Sequence, residues 1–340
     1  MAFIAANTHV LARELWPQGI GKLQQDKHLD LLSLPASRVV PRDGDDLLEW
    51  LFVQLQDRGK RGLVFMHPSV EGAKGSPQVV VHLQGIIEDM NLGLYGDWDQ
   101  TEANAKKAMQ KLTLGSGGCR EAFVPQVKAL DDIRQTVSMM AGVCPKRLGA
   151  QGNICLRRRV FTKVNVGTAA SIVTENEDPS GTLDAVADKW RITSRIKCGT
   201  EHKGGGIQSL NVLSLRPSDM VDVSVTVVAV ISDGPMGKRC EVIFEPKTIV
   251  RLACADAVKE RFQEAAREVA GSRRRPASSS AAMEEGYSFE EKRRKTRKVA
   301  VNEKRVKAVS STADEWDTAM EGGSEGRQPM GVSDSGEKSM

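Results

Sequence analysis

Residues 220–231 read MVDVSVTVVAVI, and no other segment constrains the fold as much. Seven of these twelve residues are Val or Ile. Branched side chains of this kind lose rotamer freedom in a helix and pack well on a pleated surface, so the run predicts a long strand. Arg216-Pro217-Ser218-Asp219 before it and Ser232-Asp233-Gly234-Pro235 after it carry turn chemistry, the second at a hairpin tip. Strand-like patterns recur at VFTKVNV (160–166), KWRITSRIK (189–197), IQSLNVL (207–213), CEVIF (240–244) and TIVRL (248–252). Six short strands at this spacing predict a small antiparallel β-barrel or sandwich over 150–270. A helix over 255–270, with Val258, Phe262, Ala265 and Val269 on one face, closes it.

The region before it reads as mostly helical. DGDDLLEWLFVQLQDRGKRG offers Asp43 or Asp45 as a cap, apolar residues at Leu47, Leu48, Leu51, Phe52 and Leu55, and Gly59 as a stop. Strands follow at 62–66 and 78–83, although the stretch QVVVHLQGIIEDM also fits a helix. Asp99 with Glu102 forms a capping box ahead of a helix through Leu112. A further helix over 126–141 gathers Leu130, Ile133, Val137 and Met140. The expected fold class is therefore α+β: a mostly helical domain at 1–147, the barrel or sandwich at 150–270, and a disordered tail at 271–340. Only 4% of residues are aromatic, so the core must be built from aliphatic side chains.

The tail is expected to be disordered because its apolar residues are too few to offset the entropy of ordering. Its charge is segregated. Residues 271–310 carry twelve Lys or Arg against five acids, 311–340 carry two against seven, and the first 270 carry 34 against 32. Arg273, Arg274 and Arg275 form one cluster; Lys292, Arg293, Arg294, Lys295, Arg297 and Lys298 form a second. Flexible cations at this density suit the acidic grooves of a nuclear import receptor or a phosphate backbone. Thr296 follows Arg293-Arg294-Lys295 and is a phosphorylation candidate, since phosphate there would cancel part of the cluster.

Several function classes lose their support. The six cysteines are widely spaced and the start lacks a basic-then-apolar leader, so reduced thiols inside a cell are expected. No run approaches the length of an apolar membrane span. Cys198 and His202 have no second pair at zinc spacing, LGSGGCR and HKGGGIQS lack the ending of a phosphate loop, and the five histidines have no neighbours that mark a base. No catalytic residue, metal ligand or cofactor site follows from the residues.

The order Leu215-Arg216-Pro217-Ser218-Asp219-Met220-Val221-Asp222-Val223, followed by a long strand, a glycine hairpin and a shorter strand, resembles the later strands of OB-fold barrels such as those of replication protein A. That resemblance implies oligonucleotide binding. The cadence from this segment to IVRL is also similar to that of proteins from mushroom-forming fungi, which implies a eukaryotic nucleus for the tail to address. The alternation of KWRITSRIK sends Arg191, Thr193, Arg195 and Lys197 to one side and Trp190, Ile192 and Ile196 to the other. With Arg157, Arg158 and Arg159, these cations are the expected phosphate contacts of a basic face. Against this stands the aromatic count: only Phe161, Trp190 and Phe244 lie between 150 and 252, few for stacking bases. The leading expectation is a non-enzymatic nuclear protein binding nucleic acid or chromatin partners. The alternatives are a protein-interaction scaffold whose tail is only a nuclear import signal, and an enzyme of unrecognised class; the expected localisation is nuclear, with cytoplasmic as the alternative.

Overall fold

Strand pairing is organised around the valine-rich run. In the computed structural model, which describes residues 1–56, 60–70, 75–144, 152–165, 167–202, 204–235 and 237–272, thirteen strands accompany four α-helices. In chain order these are β1 (Phe3–Ile4), β2 (Val39–Val40), α1 (Gly44–Trp50), β3 (Leu51–Gln56), β4 (Arg61–Met66), β5 (Val80–Asn91), α2 (Glu102–Ala105), β6 (Met109–Gly115) and α3 (Arg120–Met140). There follow β7 (Ile154–Arg159), β8 (Thr162–Lys163), β9 (Trp190–Arg191), β10 (Lys197–Glu201), β11 (Ile207–Ser209), β12 (Met220–Gly234), β13 (Gly237–Ala253) and α4 (Ala255–Ser272).

Nine of these strands form one mixed sheet with the path β11-β10-β13-β12-β5-β6-β7, and β4, carrying β3, pairs with the far half of β12. The long hairpin β12–β13 is the spine. One flank of β12 pairs with β13 throughout; the other pairs with β5 over 220–226 and with β4 over 228–230. Val221, Val223, Val225 and Val227 are fully buried beneath these neighbours, with Leu83, Leu112, Leu114 and Leu156 in the same core. α3 covers this core with Phe123, Leu130, Ile133 and Val137. A smaller cluster around Trp98, Phe161, Val186 and Ile192 anchors the 160–192 segment.

This architecture corrects the expected fold class. The N-terminal region is mostly sheet, and its strands share a sheet with those after residue 150, so no separate small barrel or sandwich stands alone. Asp43 does cap α1, its carboxylate accepting from the Asp45 amide at 2.8 Å, but the helix stops at Trp50 and LFVQLQ becomes β3, paired with β4 from Leu51↔Met66 to Gln56↔Arg61. The helix expected through Leu112 ends at Ala105, and MQKLTLG is β6. In both places the apolar spacing satisfies a period of two as well as one of 3.6, and a partner strand distant in sequence decides the outcome. The ambiguous stretch after Val80 is strand throughout β5. α3 starts at Arg120 rather than 126 and carries Pro125 inside.

One glycine positions a charged loop against β6. Gly96 has φ +56°, and a Cβ there would lie 2.3 Å from the Met109 carbonyl oxygen. The turn it permits brings the Asp97 amide to Met109 O at 3.1 Å and the Asp97 carboxylate to Lys111 Nζ at 2.5 Å. Gly96→Ala combines a disfavoured φ with a backbone clash, and a loss of about 1–3 kcal/mol is expected. A lowered urea midpoint at unchanged m-value would register it.

Candidate nucleic-acid interface

β7 ends the sheet path, paired on one flank with β6. β13 is flanked by β10 only over 248–251, so the opposite flank of its first half is left to face β7. The two strands approach without pairing, and α3 runs alongside. Together they bound a groove of about 1090 Å³.

Local periodicity decides what points into it. Along β7, Ile154, Leu156 and Arg158 are buried, while Cys155 and Arg159 are exposed and Arg157 is partly so. Along β6, Gln110, Leu112 and Leu114 are buried and Lys111 is exposed. Lys238 and Arg239 open β13 just past the hairpin turn and are exposed, with Asp233 and Ser232 as their cross-strand partners. Arg134 projects from α3, its guanidinium carbon 5.3 Å from the centre of the Phe244 ring.

Among the described residues the groove thus collects five cations, Lys111, Arg134, Arg157, Lys238 and Arg239, over apolar residues that include Val127, Leu130, Ile154, Val242 and Phe244. Two carboxylates share it, and each is engaged by a groove arginine. Arg157 Nη2 donates to Glu241 Oε1 at 2.5 Å, joining β7 to β13, and Arg134 pairs with Asp131 one turn earlier on α3. Both partners of the first pair are well exposed, 39% and 56%, so solvent screens it and a competing anion can displace the carboxylate.

Of the six cations expected to contact phosphate, only Arg157 lines this groove. Arg158 points the other way and is buried; one terminal nitrogen donates to Ser194 Oγ and the other finds no partner among the described residues. Burial opposes its charge, which the nearby Glu245 supports. Arg159 is exposed and donates to the Lys106 carbonyl at 3.4 Å. Arg195 is held by both oxygens of Glu177 and by the Ile172 carbonyl; its guanidinium pulls the Glu177 carboxyl down to about 2. Residues 189–197 do not form the continuous strand that would align Arg191, Arg195 and Lys197: Trp190–Arg191 pairs with β8, and Lys197 begins β10. The tail cations 273–275 and 292–298, with Thr296, lie outside the described residues.

Sequence reasoning missed Lys111, Arg134, Lys238 and Arg239. Lys238-Arg239 directly after a hairpin turn was the available signal. Arg134 carried none, being one polar residue on the outer face of an amphipathic helix.

Comparison with known proteins leaves the class to the fold and the groove. No protein family matches the chain, and no curated protein matches it. Among solved structures it is similar to the single-stranded DNA-binding protein from bacteriophage Enc34 in complex with ssDNA. Identity is 10% and the TM-score 0.27, over 61% of this chain and 97% of that one. A C-terminal truncation of the same phage protein gives 9% identity and a TM-score of 0.26, over 60% and 95%. Likeness this loose carries no argument about activity.

Proposed function

We propose that the groove between β7 and β13 binds nucleic acid, and binds it as a single strand. The observation that supports this is the juxtaposition of five cations with an apolar floor inside one groove. A single strand presents both matching chemistries, since its phosphates pair with cations while its unstacked bases contact apolar and aromatic side chains. A duplex keeps its base faces stacked inside and leaves such a floor unmatched. Among the described residues Phe244 is the one aromatic ring lining the groove, so affinity comes chiefly from phosphate contacts and is strongly salt-dependent.

The test is fluorescence anisotropy of labelled oligonucleotides against the full-length protein over a salt series. If all five cations meet phosphates, the slope of log K against log salt approaches roughly −3.5, about a hundredfold loss between 50 and 200 mM. No affinity at low salt overturns the reading, and equal affinity for duplex and single strand overturns its single-strand part.

Glu241 competes with phosphate for Arg157. Glu241→Gln removes that competition and one negative charge from the groove, and tighter binding by about two- to fivefold is expected in the same assay. Weaker binding would instead make the ion pair a scaffold for the site.

On charge alone, we extend the proposal to the tail: the clusters 273–275 and 292–298 serve as an address read by a nuclear import receptor. Removing 273–340 from a fluorescent fusion is expected to abolish nuclear accumulation; unchanged distribution would refute it.

A further inference from the structure

The groove also gathers thiols. Cys144, just after α3, and Cys155, on β7, are exposed; Cys240, on β13, is half-buried, and all three line the groove. Four antiparallel steps lead from β13 through β12, β5 and β6 to β7, so β7 runs parallel to β13. Arg157 reaches Glu241 across the gap, and Cys155 stands two residues before Arg157 on the same strand face. Cys155 is exposed on the same face of β7 as Arg157 and lines the cation-rich groove, whose positive charge attracts anionic reagents.

We propose that Cys155, seconded by Cys144, is a site of thiol–disulfide exchange selective for small anionic disulfides, of which glutathione disulfide is an example. The Cys155 thiolate attacks one sulfur of the reagent, its S–S bond breaks, a mixed disulfide forms, and the departing thiolate takes up the proton that Cys155 released. One protein thiol is oxidised and half of the reagent reduced, with no further oxidant. A glutathione adduct brings two carboxylates and one ammonium into the groove, adding negative charge and filling volume where the proposed function needs cations. Only this regulatory consequence rests on the nucleic-acid reading; the reaction stands apart from it. The remaining thiols are poor competitors. Burial pushes Cys198 up to about 11 and raises Cys119 and Cys240, while exposed Cys254 lies outside the groove and is an internal reference.

The experiment treats the full-length protein with the dianionic 5,5′-dithiobis(2-nitrobenzoate) and the uncharged 4,4′-dithiodipyridine, following release by absorbance and assigning sites by mass spectrometry. Expected is an anionic-to-neutral rate ratio at Cys155 at least ~5-fold above that at Cys254, falling toward the Cys254 value in 0.5 M salt and in Arg157→Gln/Arg239→Gln. Equal ratios at the two sites, or a ratio indifferent to both salt and the substitutions, overturn the proposal. Mapping on the wild-type chain makes the test independent of how Cys155→Ser folds. Glutathionylated wild type is then expected to lose at least ~10-fold in oligonucleotide affinity while treated Cys155→Ser keeps it. Retained affinity in the modified wild type overturns the regulatory step. Selective modification of a protein that binds no oligonucleotide in any form supports the exchange site and overturns the proposed function instead.

Discussion

Lys238→Glu made together with Arg239→Glu in the full-length chain is expected to weaken binding of a single-stranded oligonucleotide by about 10- to 100-fold at 0.1 M salt. Both side chains are exposed at the start of β13 and neither contributes to the core, so far-UV circular dichroism and the melting temperature should not move. The double change removes two attractive charges and installs two repulsive ones at the mouth of the groove. Losing two phosphate contacts also flattens the salt dependence by about 1.4 in log–log slope. Arg195→Gln is the matched control, because Arg195 is occupied by Glu177 and does not line the groove. Unchanged affinity in the double variant, or an equal loss in the control, would move the interface off the β7–β13 groove.

How much of this could be read from the residues follows from where the deciding interactions lie. β12 was legible because its β-branched run and flanking turns are local. β13 was legible only in halves: CEVIF and TIVRL are one strand that continues through Glu245-Pro246-Lys247. Pro246 lacks a backbone donor, yet it stands opposite Val225 where the register shifts against Ser224, a bulge that tolerates the missing hydrogen bond. The pairing of β3 with β4 and the conversion of MQKLTLG into β6 were hidden, since the alternating burial of Gln110, Leu112 and Leu114 becomes distinctive only once β5 and β7 lie alongside.

The site was less legible than the fold for the same reason. Arg157, Arg158 and Arg159 look like a patch in sequence, but a strand sends alternate residues to opposite faces, so Arg158 goes to the interior, while Arg159, on the face of Arg157, donates to the Lys106 carbonyl and does not line the groove. The companions of Arg157 come from β6, α3 and the start of β13, which only the sheet order brings together. Residues 189–197 divide between β9 and β10 with irregular chain between them, so the alternation of a single strand does not carry through the segment.

Asp222→Ala is expected to cost about 3–5 kcal/mol near neutral pH, because it strips the charged member from a buried polar network and leaves its partners unpaired. Asp222 is buried on β12. Its Oδ1 accepts from His82 Nδ1 at 2.8 Å and its Oδ2 from Gln84 Nε2 at 2.8 Å, both residues standing on β5. Gln84 extends the network, its amide donating to Gln126 Oε1 on α3 at 2.7 Å and its side chain donating to the Gly21 carbonyl at 2.6 Å. The far face of His82 is closed by the Phe3 ring, stacked at 4.8 Å. Burial works against the Asp222 charge, but His82, the hydrogen bonds from His82 and Gln84, and Arg13 outweigh it, holding the carboxyl below the ordinary range. A carboxyl depressed on folding contributes stability that is present above its unfolded value and is lost as pH falls through the folded one. Wild type therefore surrenders this contribution below about pH 4, whereas the alanine variant has none to lose. Urea unfolding at pH 7 and again at pH 3 should show the difference between the two proteins shrinking with acid. A deficit under about 1 kcal/mol at pH 7, or one equally large at pH 3, would mean that the network is a packed polar contact whose charge contributes nothing to stability.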